Sequence, residues 1–157
     1  METVAASVIA VLGTLLGAGV TYVFQGRSLA RAESFARNES LRQERLNTYS
    51  RYGGALAAYR GVMVNRWYSV HENRSTEEQK ELRAASHARR AEAQEALYRV
   101  LLITESEPLS QQAQDAFDQV TEVRRVQGDE EIEERRRDTR ESINDFIVAA
   151  RRHTQQL

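Results

Sequence analysis

The chain opens on an apolar run, Val4 to Phe24, which reads VAASVIAVLGTLLGAGVTYVF and holds no charged residue and no proline. At ~1.5 Å per residue, a helix of this length spans roughly 30 Å, the thickness of a bilayer's hydrocarbon core. The pattern predicts an N-terminal transmembrane anchor over residues 1–26. A cleaved signal peptide would have a basic start, a shorter apolar core and a small-x-small site. Gly17-Ala18-Gly19 imitates such a site, yet only Met1, Glu2 and Thr3 precede the run and none is basic. A buried helix of a soluble protein would rarely go this far without a polar stripe.

After the run the pattern turns polar. Residues 27–45 predict a juxtamembrane helical stem with few large apolar positions: Leu29, Phe35 and Leu41. Glu33 and Arg37 stand one helical turn apart in the favoured order. Such a helix is either a solvated rod or, as a coiled coil, pairs with a second copy.

From residue 46 the apolar positions recur at helical spacing, and residues 46–157 predict a cytoplasmic four-helix bundle that folds alone. Leu46, Tyr49, Gly53, Leu56, Arg60, Met63, Trp67 and Val70 form the first seam, widened by Tyr52 and Tyr59. Gly53-Gly54 is a candidate bend. His71 to Ser75 reads as a turn, and Ser75 with Glu78 has the spacing of a capping box. Leu82, Ala85, Ala93, Leu97, Val100, Leu101 and Thr104 mark the second seam. The chain's one proline, Pro108, follows Ser106-Glu107 where a helix starts. The third seam is Leu109, Ala113, Ala116, Phe117, Val120 and Val123. Arg124 and Arg125, then Gly128, then Asp129-Glu130-Glu131 place cations at one helix end and acids at the next start, as the helix dipole favours. The last seam is Ile132, Thr139, Ile143, Phe146, Ile147 and Ala150. The fold class is therefore all-α: transmembrane helix, stem and an up-down-up-down antiparallel bundle.

Charge sets the orientation. Arg27, Arg31, Arg37, Arg42 and Arg45 follow the apolar run and no basic residue precedes it, so the N-terminus is expected outside and the C-terminal domain in the cytoplasm of a single-pass cell-membrane protein. Ala6, Ala10, Gly13 and Gly17 give one face of the anchor small side chains, a candidate helix-pairing face. Net charge is −1, which does not suggest a nucleic-acid partner. Cysteine is absent, which excludes disulfides and thiolate chemistry. Lys80 is the sole lysine among abundant arginines, a bias of GC-rich bacterial genomes.

A di-iron bundle needs Glu-x-x-His pairs, but Tyr68, Ala84 and Ala150 precede His71, His87 and His153 by three. There is no phosphate-binding glycine loop and no nucleophile elbow. No metal, cofactor or catalytic residue is expected. Arg60, Arg66 and Trp67 are the candidate polar pocket; the plainer reading has Arg60 packing its stem at the core edge. Arg99 is expected to pair with Glu95 on the surface. Glu131 with Arg135, and Glu133 with Arg137, are expected to pair along a solvated face.

The apolar start Val-Ala-Ser-Val-Ile-Ala-Val-Leu-Gly-Thr-Leu-Leu-Gly, the following Tyr-Val-Phe-Gln, the stem's Leu-Arg-Gln-Glu-Arg and the Tyr-Arg-Val-Leu-Leu element resemble a group of uncharacterised small actinobacterial, Streptomyces-like proteins. The resemblance implies a single-pass membrane protein with a cytoplasmic helical domain and no known activity. The expected function is non-enzymatic: a membrane-anchored interaction or scaffold protein whose partners are the bilayer, an unidentified protein and a second copy of itself. A sensory or ligand-binding bundle is the alternative. A phage-type membrane-active protein such as a holin is disfavoured by the large ordered domain.

Overall fold

A computed structural model describes the backbone of residues 2–155 and the side chains of residues 33 and 35–155. All regular structure among them is helical: α1 (Glu2–His71), α2 (Thr76–Ile103), α3 (Glu107–Glu122), a short 3-10 turn (Val123–Arg125) and α4 (Asp129–Gln155). The chain divides into two compact units, residues 1–41 and residues 42–157.

In the first unit Glu33 and Arg37 pair at 3.9 Å on an exposed face, and Phe35 is 74% exposed. The apolar run Val4–Phe24 and the small face Ala6, Ala10, Gly13 and Gly17 have side chains outside the described residues. Among the described residues no helix is long and apolar enough to cross a membrane.

The second unit is the bundle, and its contacts fix the direction of each helix. Along α1, Tyr49 meets Phe146 and His153, Arg60 meets Thr139, and Tyr68 meets Glu133, so α4 runs antiparallel to α1. Arg45 with Glu105 and Arg66 with Ser86 make α2 antiparallel to α1 as well. Tyr52 reaches Ala113 and Tyr59 packs on Phe117, so α3 runs parallel to α1. The order is up-down-up-down.

The turns follow from local chemistry. Ser75 caps α2 by accepting from the Glu78 amide at 3.3 Å. The reciprocal half of the capping box is absent, because the Glu78 carboxylate is drawn to Arg74 at 2.9 Å. Asn73 supplies the left-handed residue that ends α1 (φ 51°), a conformation asparagine tolerates. Ser106 caps α3 through the Leu109 amide, with Pro108 in the first turn.

Most seam positions are buried. Tyr49, Tyr52, Leu56, Tyr59, Met63 and Trp67 form the α1 stripe, and all six residues of the third seam are buried. Gly53-Gly54 does not break α1; Gly53 lets Ile147 of α4 approach, and a Cβ there would sit 2.6 Å from its Cδ1. Three seam positions are corrected. Val70, Leu101 and Ile147 are 51%, 36% and 40% exposed. Leu101 and Ile147 follow the buried Val100 and Phe146 by one residue, about 100° round the helix at the edge of their stripes, and Val70 stands in the last turn of α1. The expected pairing along the start of α4 is also corrected. Glu133 binds Arg136 at 2.7 Å rather than Arg137, and Glu131 accepts from the Gln127 amide at 3.2 Å. Arg99 pairs with Glu95 at 2.9 Å, as expected.

Candidate functional site

Trp67 sits one turn before the end of α1, with its ring buried. Indole carries an N–H that must find an acceptor when desolvated; Nε1 donates to the Val126 carbonyl at 2.8 Å. That bond draws the segment after the 3-10 turn over the end of α1 and leaves a cavity of about 120 Å³ beside the ring. Met63, Trp67, Val70 and Val126 supply its apolar wall, and Arg66, Arg124 and His71 its polar rim. The His71 ring stacks on Trp67 at 3.7 Å and 15°. Its Nδ1 lies 2.9 Å from the Trp67 carbonyl; since a carbonyl only accepts, Nδ1 carries the proton. Arg66 reaches Ser86 at 3.4 Å.

Two of the three sequence candidates, Arg66 and Trp67, thus line one cavity. Arg60 does not. It crosses to α4, donating to Thr139 Oγ1 at 2.9 Å and to the Arg136 carbonyl at 2.7 Å. Burial, then the nearby Arg140 and Arg136 charges, push its pKa down. Its role there is to tie two helices. Arg124, His71 and Val126 were not foreseen as lining residues. The signal for Val126 was the indole N–H itself, which required an acceptor from another element.

The opposite end of the bundle is built differently. Tyr49 and Tyr52 each meet the Phe146 ring edge-on, at 6.2 and 5.0 Å. The Tyr52 hydroxyl donates to the Ala113 carbonyl at 2.6 Å; burial, and secondarily Asp118, push its phenol pKa up. Arg45 is buried and binds Glu105 at 3.2 Å. Among the described residues Arg45 Nε, Tyr49 Oη and His153 Nε2 are buried without a partner. A groove between α3 and α4 carries Asp115, Asp138, Glu141 and Asp145. Among the described residues no group of three or more His, Cys, Asp or Glu could hold a metal ion.

A family model described as KilB plasmid transfer protein matches residues 46–154, more than half of the 157-residue chain. The chain belongs to the KilB family. No curated protein and no solved structure matches it. The KilB match covers the helical bundle from Leu46 to Thr154, including Trp67, its cavity and the α1–α4 ties, and stops short of the apolar run.

Proposed function

We propose that this KilB-family chain is a non-enzymatic, membrane-anchored interaction protein of plasmid transfer. The carrying observation is the coincidence of three boundaries: the apolar seams start at residue 46, the compact unit at Arg42 and the family match at residue 46. What precedes them is an uncharged apolar run followed by arginines, a pattern suited to an anchor and a stem. In this reading residues 1–26 cross the cell membrane once, with the N-terminus outside. Residues 27–45 set the spacing, and the bundle presents a binding face in the cytoplasm of a Streptomyces-like actinobacterial host. Ala6, Ala10, Gly13 and Gly17 pair two anchors in a parallel homodimer. The partners are the bilayer, a second copy and another protein rather than nucleic acid.

The test separates anchor from bundle. The full chain should remain in alkaline-washed membranes, a chain lacking residues 2–26 should become soluble, and plasmid transfer frequency should fall with the loss of the anchor. A periplasm-active reporter fused after Leu157 should stay silent. Full-length protein in the soluble fraction, or undiminished transfer by the shortened chain, would overturn the reading.

A further inference from the structure

We propose that the cavity beside Trp67 is a binding site for a small oxyanion, a carboxylate or phosphate group borne on a short apolar stub. The inference goes beyond tethering and stands independently of it.

Arg66, Arg124 and His71 face the cavity, and no carboxylate lines it. Five arginines outside it, Arg74, Arg89, Arg99, Arg125 and Arg136, each have a glutamate partner. Among the described residues the hydrogen-bond partner of the Arg66 guanidinium is neutral, Ser86 Oγ at 3.4 Å.

The acceptors that would repel an anion are already engaged. The end of a helix presents free carbonyls and the negative pole of its dipole. At the end of α1 these carbonyls are taken: Tyr68 by the Glu72 amide, Ser69 by the Arg74 amide and Val70 by the Asn73 amide. The Trp67 carbonyl is held by His71 Nδ1 and the Val126 carbonyl by the indole. The polar groups left over are the two guanidinium groups, which bind planar oxyanions in a fork. Met63, Val70, Val126 and the indole face accept an alkyl portion.

Size narrows the class further. A volume of about 120 Å³ holds a headgroup with a few carbon atoms and is too small for a nucleotide. Nothing in the lining is a nucleophile or paired acid and base, so the site holds its ligand and does not transform it.

Trp67 is the chain's single tryptophan, so its emission reports on this cavity alone. The full chain, purified in detergent and phosphate-free buffer, is titrated at constant ionic strength with inorganic phosphate, acetate and butyrate, and with chloride as reference. A saturable change in emission is expected with at least one oxyanion and not with chloride. Arg124→Gln should weaken it about tenfold, the loss of one charge-assisted hydrogen bond, and Arg66→Gln by as much or more. Arg89→Gln, whose side chain pairs with Glu92, should leave it unchanged. Tighter binding of butyrate than of phosphate assigns a carboxylate source, the reverse a phosphate source, and both support the site. Absence of a saturable response to all three anions overturns the proposal. So does a response that Arg124→Gln and Arg66→Gln leave intact in folded protein.

Discussion

The two ends of the bundle solve the same problem with opposite results. Each buries an aromatic ring of α1 that carries a polar atom, and each satisfies that atom with a backbone carbonyl of another element: Tyr52 with Ala113, Trp67 with Val126. At the Tyr52 end the acceptor belongs to the interior of α3. Phe146 fills the remaining space edge-on against two tyrosines. At the Trp67 end the acceptor lies in an irregular connection after a 3-10 turn, and a cavity remains. A helix supplies packing on all sides of its carbonyl, whereas a connection supplies the carbonyl and little else. The first arrangement favours rigidity, and the second leaves room for a ligand.

The largest effect should come from emptying the filled end. Phe146→Ala is expected to cost about 3–5 kcal/mol, the usual loss for a fully buried phenyl, read as a shift in the chemical denaturation midpoint at constant m. A loss under about 1 kcal/mol would mean that this end is no better packed than the other. Next is the open end. Trp67→Phe removes the indole donor and strands the Val126 carbonyl, for an expected cost of about 1–3 kcal/mol. A cost equal to that of Phe146→Ala would erase the contrast. Between the two ends, Gly61 is a helical glycine whose added Cβ would meet nothing within 4 Å. Gly61→Ala should therefore stabilise by about 0.5–1 kcal/mol, through helix propensity alone. Destabilisation would show that α1 needs flexibility between its ends.

The smallest effect is electrostatic. The Tyr68 hydroxyl at 2.6 Å, and then Arg136, hold the Glu133 carboxyl below its ordinary 4.5. Because the folded value is the lower one, this pairing favours the fold above the unfolded pKa and fades as pH falls through the folded one. A carboxyl NMR titration should place Glu133 under 4.5, and Tyr68→Phe should move it back up. An unchanged midpoint would assign the shift to Arg136.

The helices were legible in the sequence because their seams repeat at helical spacing. Every seam residue of the third helix, from Leu109 to Val123, is buried as expected. The buried polar positions Ser69, Ser86 and Thr154 were not legible. Their hydroxyls donate to the carbonyls of Arg66, Arg83 and Arg151 within their own helices, which satisfies the donor without a partner from another element. A serine that turns inward on itself looks, in sequence, like one facing water. The cavity was half legible: Arg66 and Trp67 were adjacent, but Arg124 and Val126 arrive from an element whose docking depends on tertiary contact. Arg60, equally prominent in the stripe, went instead to Thr139 and Arg136. Periodicity says which face a residue occupies and not which neighbour will accept its hydrogen bonds.

The ties that centre on α1 also have a kinetic consequence. Tyr52 to Ala113, Arg60 to Thr139 and Trp67 to Val126 join residues 61, 79 and 59 positions apart. Loop closure over such separations precedes any gain from the contacts, and folding slows as contacts become less local. On the ribosome the aromatic stripe of α1 emerges well before α3 and α4 exist to cover it. Nascent chains should therefore pass through a stage at which Tyr49, Tyr52, Tyr59 and Trp67 are open to chaperones, and proteolysis of stalled chains should find α1 protected only once α4 has been made.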